Sequence, residues 1–238
     1  MAFYNIAGLK INMDLNYSLL ADKAKPYLVS KENCPDADIS VKVSKERLDL
    51  CAAQQMGEKY MPEYEYVLAG SDFYYKLLDF CGMMVHSSAV VADGYAYLFS
   101  ADSGVGKSTH TALWLKMLGE SAYILNDDKP AVRIIDDKVF AYGTPFSGKN
   151  DINQNKCVPL GAICFIERAG QNSIKKLTAA EALPLMLKQT QRKPDKQIME
   201  RLLGVLDAVL SRVNVYKLCC NMDISAAELA YNTMKVTG

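Results

Sequence analysis

FSADSGVGKSTHTALWL, residues Phe99 to Leu115, is the stretch on which the reading of the fold turns. An apolar run enters it and a helix-compatible apolar run leaves it. That is the strand–loop–helix context of the phosphate-binding pattern GxxxxGK[ST], with one departure: alanine stands at 101, where the pattern has its first glycine. Glycines in such a loop let the backbone turn and bring N–H groups up to phosphate oxygens, while the following helix adds the positive end of its dipole. Gly104 and Gly106 keep the two inner positions, and Ala101 sits at the outer hinge, where a methyl group is tolerated if the local φ is negative. On this reading Asp102, Ser103, Gly104, Val105, Gly106, Lys107, Ser108 and Thr109 hold the phosphates of a nucleotide. Lys107 reaches the β- and γ-phosphates as a point charge and Ser108 offers a hydroxyl to Mg²⁺. The alternative is a glycine-containing turn that binds nothing.

Upstream, VHSSAVVADGYAYLFSA reads as two strands joined by a tight turn at Asp93-Gly94. In most phosphate-loop proteins the strand feeding the loop sits in a parallel sheet, whose crossovers need a dozen or more residues. A hairpin here gives that strand an antiparallel neighbour and predicts a mixed sheet. Downstream, Ser108 to Leu118 continues as a helix, and Tyr123-Ile-Leu-Asn reads as a buried strand ending in Asp127 and Asp128. One of these acids can hold the metal while the other takes a proton from an attacking hydroxyl; alternatively they form a turn before Pro130. A second hairpin is expected at AVRIIDDKVFAYG, and an apolar strand at 160–166.

The rest of the C-terminal segment reads as helical with one strand at Val215 to Cys220. Thr178-Ala-Ala-Glu181 and Ser225-Ala-Ala-Glu228 have capping-box spacing, and Ile198, Leu202, Val205, Leu206 and Val209 form one apolar helical stripe. These helices either close the core or form an interface between copies. The first 70 residues offer short strand-like pieces, Tyr4 to Ile11 and Ile39 to Val43, between polar stretches; helical spacing begins at Asp72 and runs to Phe80. The expected class is therefore α/β: a mixed-sheet phosphate-loop core over 71–238 with a helical C-terminal segment, and a small, mostly β lobe over 1–70.

Acidic and basic residues balance at 27 each without long runs, so charge points neither to nucleic acid nor to an anionic membrane. Seven cysteines without a CxxC pair, and no long apolar segment, read as a reduced cytoplasmic protein; Cys164 and Cys219 lie in apolar runs. With only two histidines, a histidine-rich metal site is hard to assemble, which disfavours carboxykinase chemistry. Guanine-reading, transporter and nucleoside-monophosphate-kinase signatures are absent from the sequence.

HSSAVVADGYAYLFSADSGVGKST, from His86, followed by ILNDDKPAV, from Ile124, resembles the catalytic core of HPr kinase/phosphorylase, whose fold is related to the nucleotide domain of phosphoenolpyruvate carboxykinase. The resemblance covers residues 83–135. Beyond it, GTPFSGKND and the run into FIERAG are similar to a broad set of HPr-kinase-like proteins, some of which phosphorylate peptides or small molecules. It implies ATP and Mg²⁺, Lys107 on phosphate, Ser108 on the metal, Asp127 as base with Asp128 near the metal, and His86 beside the transferred phosphoryl group. By its residue type alone, His86 at a strand start is equally a packed or capping residue.

The chain departs from the family at Ala101, at Thr109 where glutamate is usual, and at Tyr142-Gly-Thr-Pro-Phe-Ser-Gly-Lys-Asn150, which replaces a glycine-rich acidic segment. These departures point to a hydroxyl acceptor other than HPr, on a small molecule or on a peptide or protein serine. Ser147 and Lys149 are candidate contacts to phosphate or acceptor, or else form an ordinary turn with a solvated lysine. Arg168 either stabilises charge in the transition state or is simply exposed. Two functions compete: an ATP-dependent kinase, and a non-catalytic nucleotide-binding regulatory module.

Overall fold

The computed structural model describes residues 2–30, 36–55 and 57–236. The N-terminal part opens with β1 (Ala2–Ile6) and β2 (Leu9–Asp14), continues through α1 (Ser18–Lys23), β3 (Leu28–Val29) and β4 (Ile39–Lys42), and ends in α2 (Lys45–Gln54) and α3 (Met61–Leu77). Its four strands form a sheet in the order β3-β1-β2-β4. The strand expected over Tyr4 to Ile11 is instead a hairpin, because Ala7 and Gly8 both take positive φ and turn the chain.

This part is mixed, where the sequence reading made it mostly β. The reason lies in α3, whose inner face carries Met61, Tyr64, Glu65, Ala69, Phe73 and Leu77. Glu65 hides the helical stripe in the sequence, yet it is buried, accepting hydrogen bonds from Asn16 N (2.6 Å), Asn16 Nδ2 (2.7 Å) and Tyr17 N (2.9 Å). Pro62 sits in the first turn, where its missing N–H costs nothing. Of the polar stretch KENCPDAD, residues 31–35 lie outside the described residues.

The remainder builds one mixed sheet. β5 (Gly82–Met84), β6 (Ser87–Ala92) and β7 (Tyr95–Ser100) lead into α4 (Lys107–Leu118). Then come β8 (Ala122–Asp128), β9 (Ala131–Ile135), β10 (Lys138–Tyr142) and the long β11 (Cys157–Arg168). β12 (Ser173–Leu177), α5 (Ala179–Lys188), α6 (Lys196–Leu210), β13 (Asn214–Cys220) and α7 (Ile224–Met234) complete the chain. The sheet order is β5-β9-β10-β11-β7-β6-β8, with β13 pairing β11 and β12 pairing β13. Both expected hairpins form: Asp93-Gly94 joins β6 to β7, and Asp136-Asp137 joins β9 to β10, all four at positive φ.

The mixed sheet follows from the hairpin as expected. β7 has β6 antiparallel on one side and β11 parallel on the other. The register then decides where chemistry can collect: Ser87 opposes both Ser100 and Asp128, and Phe165 opposes Ser100. Hence the start of β6, the ends of β7, β8 and β11, and the loop after β7 share one edge of the sheet, as ligand sites of open α/β sheets do.

α4 covers this sheet by burying Trp114 against Tyr97 and Phe99, with ring centroids 5.0 and 5.3 Å away. Truncating a fully buried Trp of this kind costs about 3–5 kcal/mol. On the other face α6 buries Leu202, Val205, Leu206 and Val209, so the apolar stripe closes the core. Two expectations in this region are corrected. β12 is a strand that the sequence reading missed, because an exposed edge strand tolerates Lys175 and Lys176 and loses its alternation. The capping box at Thr178 forms, but the one at Ser225 does not: α7 starts earlier, at Ile224 with Asp223 as its N-cap, and the Ser225 hydroxyl accepts from Asn172.

Candidate functional site

The phosphate-loop pattern takes the backbone its glycines permit. Gly104 and Gly106 have φ of +79° and +128°, and Gly106 stands at the N-cap of α4, whose first-turn N–H groups receive no side-chain cap among the described residues. Ala101 has negative φ and is buried in the cluster holding Phe99 and Trp114, so the methyl group at the hinge adds packing without straining the turn. Lys107 Nζ folds back to the Ala101 carbonyl at 3.0 Å. Half-burial lowers its pKa, against the pull of Asp128, Asp127 and Asp102.

Arg168 is exposed yet committed. Its Nε donates to the Val105 carbonyl at 2.9 Å and its Nη2 to that of Gly104 at 2.5 Å. A trans peptide points its C=O and N–H in opposite directions, so tying the Val105 carbonyl to Arg168 turns the Gly106 N–H toward the opposite face of the loop.

β8 delivers the acid pair beside the loop, and the two acids have different company. Asp127 Oδ1 accepts from Ser108 Oγ at 2.9 Å. Asp128, at φ +140°, meets His86 Nε2 at 3.1 Å through Oδ1 and Lys129 Nζ through Oδ2. Burial raises its pKa, but the His86 and Lys129 hydrogen bonds outweigh this and hold it down at about 2. Thus Ser108 pairs with Asp127, whereas Asp128 belongs to His86 and Lys129. Asn126, buried just before them, donates from Nδ2 to the Thr144 carbonyl at 2.9 Å and accepts the Lys129 N–H through Oδ1 at 2.9 Å, which fixes the strand end.

His86 is held on three sides. Its N–H donates to the Gln189 carbonyl at 2.6 Å, its Nδ1 lies 2.9 Å from Gln189 Oε1, and its carbonyl accepts from Ser100 Oγ at 2.8 Å. Gln189 Nε2 in turn donates to Asp102 Oδ1 at 3.1 Å.

The 143–155 segment closes the site from the side of the N-terminal sheet. The Gly148 N–H donates to the Asp127 carbonyl at 2.5 Å, and a Cβ on Gly148 would stand only 2.7 Å from that oxygen. Ser147 is buried, its hydroxyl on Asp151 at 2.5 Å and its backbone N–H and C=O both on the Tyr66 hydroxyl. Lys23 pairs with the same Asp151 at 2.6 Å, and the Tyr27 hydroxyl donates to Asn153 Oδ1 at 2.7 Å.

A cavity of ≈ 410 Å³ gathers His86, Ser103, Lys107, Ser108, Asp127, Asp128 and Lys149. Asp102, Ser147 and Arg168 lie outside its wall: Asp102 is reached through Gln189, Ser147 faces the N-terminal helix, and Arg168 braces the loop from behind. A second cavity, ≈ 560 Å³, lies on that far side and shares Gly104, Gly106 and Thr109 with the first. Its walls include Leu113, Ile166, Asn221 and Met222. His110 borders it, nearly fully buried: its Nε2 accepts from Trp114 Nε1 at 3.3 Å, so Nδ1 carries the proton, and Nδ1 has no hydrogen-bond partner among the described residues. Burial lowers its pKa to about 4.

Sequence reading missed Gln189, Lys129 and Asn126. Asn126 had the one usable signal, a polar residue ending an apolar strand directly before two acids. Gln189 had none, because its part depends on where α5 ends.

No protein-family model matches the chain, and no curated protein matches it. Among solved structures, the HPr(Ser) kinase/phosphatase from Coxiella burnetii is similar at 10% identity and a TM-score of 0.37, over 63% of this chain and 95% of that one. No helix among the described residues is long and apolar enough to cross a membrane.

Proposed function

We propose that the chain is a Mg-ATP-dependent phosphotransferase that moves the γ-phosphoryl group to a hydroxyl of a small molecule or of a peptide or protein serine. The observation that carries this reading is the 2.9 Å contact between Ser108 at the start of α4 and Asp127 at the end of β8, beside Lys107 in one cavity. An ammonium, an uncapped helix N-terminus, a hydroxyl and two carboxylates form a donor set suited to a magnesium-bound polyphosphate, because Mg²⁺ prefers oxygen ligands and phosphate prefers N–H groups. Magnesium, when bound, would neutralise phosphate charge; Ser108 and Asp128 would hold it. The ≈ 560 Å³ cavity across the loop fits the nucleobase, with Leu113 and Ile166 offering apolar wall.

The residues divide the work. Lys107 and the first-turn N–H groups of α4 bind phosphate oxygens. Among the described residues Asp127 Oδ2 carries no side-chain hydrogen bond, and Asp128, held at about 2 by two partners, is a weak base; Asp127 is therefore the acid that receives the acceptor's proton. As the acceptor oxygen bonds to the γ-phosphorus, the bond from that phosphorus to the bridging oxygen breaks, and nucleoside diphosphate leaves. Lys149 adds positive charge beside the transferred group, and His86 adds a hydrogen-bond donor.

Asp127→Asn tests the reading. Mg-ATP binding should persist while transfer of labelled γ-phosphate, to water or to a hydroxyl acceptor, falls by about 10²–10⁴. Binding without any transfer in the wild type, across a panel of hydroxyl compounds, would overturn it in favour of a regulatory nucleotide module.

A further inference from the structure

Gln189 touches both halves of the site. It caps the C-terminal end of α5 and is buried. Its main-chain carbonyl holds the His86 N–H, and its side chain bridges Asp102 of the phosphate loop to the His86 ring. The chemistry of these partners fixes the order of protons. A carboxylate only accepts, so the amide turns its nitrogen toward Asp102, and the amide oxygen, also an acceptor only, is left facing the imidazole. Nδ1 of His86 is therefore the donor to the Gln189 amide oxygen, and by the same rule Nε2 is the donor presented to the Asp128 carboxylate.

We infer that Gln189 is a positioning residue that locks the His86 ring with Nε2 toward Asp128 and the ≈ 410 Å³ cavity, and ties that orientation to Asp102 in the phosphate loop. A ring held only by Asp128 could rotate about χ2; the buried amide removes that freedom, as the outer partner of a metal-bound histidine does. A shift of the loop at Asp102 is thereby passed to the imidazole without a direct contact between them. The catalytic consequence rests on the phosphotransferase reading, whereas the ring orientation does not.

The chain has two histidines, so ¹⁵N NMR of the imidazoles reads His86 against His110 as an internal control. The wild type should show a protonated Nδ1 at His86. Gln189→Met, which removes the acceptor, should change the His86 pattern and leave that of His110, while Gln189→Glu, which keeps an acceptor at Nδ1, should preserve it. An unchanged His86 pattern in Gln189→Met overturns the inference. Should that variant fail to fold, Asp102→Asn carries the same test, because a donor at 102 lets the Gln189 amide turn over and the Nδ1 signature should weaken; a full wild-type signature there would overturn it.

Under the phosphotransferase reading, Gln189→Met should keep Mg-ATP affinity within about threefold and lose about 10–100-fold in γ-phosphate transfer. Loss of affinity with transfer per bound nucleotide unchanged would make Gln189 part of the loop alone and contradict its action through His86. If the wild type binds no Mg-ATP, the phosphotransferase reading falls, and the NMR result still decides the ring orientation.

Discussion

The two sides of the site are built by different means. The loop side, Ala101 to Thr109, comes from one strand, one turn and one helix in immediate succession, and its geometry is set by two glycines at positive φ. The acid side is an assembly: Asp127 and Asp128 end β8, His86 precedes β6, Gln189 follows α5, and Gly148 arrives on a segment pinned by Tyr66, Tyr27 and Lys23 from the N-terminal part. A local device needs few residues and tolerates Ala101. An assembled one spreads its requirements over segments far apart in sequence.

If that contrast is right, chemistry breaks most sharply on the acid side. Asp127→Asn should remove transfer, as above, while leaving the loop able to bind nucleotide. The loop side should show its own weak point in pH. His110 lies on α4 with a folded pKa of about 4 against an ordinary 6.5. As pH falls, the unfolded chain takes up this proton first, so stability is full above about 6.5 and is lost between there and about 4, to a total of about 3 kcal/mol. His110→Gln, which keeps an acceptor for Trp114 Nε1, should flatten that slope in denaturant unfolding at pH 7, 6 and 5. Equal slopes in the two proteins would contradict a buried neutral imidazole.

A pair of glycine substitutions sharpens the comparison further. Gly104 has open space around its Cβ position and positive φ, so Gly104→Ala should cost about 1 kcal/mol of conformational strain. Gly148→Ala drives a methyl group onto the Asp127 carbonyl and should cost more, about 1–3 kcal/mol by melting temperature, because backbone cannot step aside as a side chain can. The reverse ranking would mean that the 143–155 segment is held loosely. Tyr66→Phe should cost about as much as Gly104→Ala, about 1 kcal/mol, by removing the hydroxyl that serves Ser147 on both its N–H and C=O. Faster amide exchange confined to 143–155 would locate the loss there.

The same contrast explains what the sequence disclosed. The loop, both aspartate-containing hairpins, the mixed sheet and the acid pair were legible because each is written in adjacent residues: Asp93-Gly94 turns where it stands, and the apolar run before Asp127 reads as a buried strand. The helical α3 was hidden by Glu65, whose burial makes sense only once Asn16 and Tyr17 are beside it. The roles of Ser147 and Arg168 were also out of reach. Ser147 reads as a contact to phosphate or acceptor or as part of an ordinary turn, yet its hydroxyl is on Asp151 and its backbone on Tyr66 of α3; Arg168 reads as a stabiliser of transition-state charge or an exposed arginine, yet parallel pairing of β11 with β7 sets it behind the loop. Gln189 lies 87 positions from Asp102, with no motif between them to announce the contact.

Titration calorimetry of Mg-ATP into the wild type and Lys107→Ala, with and without magnesium, tests the central claim most directly. The account predicts magnesium-dependent binding in the wild type and its loss in the variant, whose fold should be intact because, among the described residues, the Lys107 ammonium makes one hydrogen bond, to the Ala101 carbonyl. No binding to the folded wild type, or equal binding to both proteins, would contradict it.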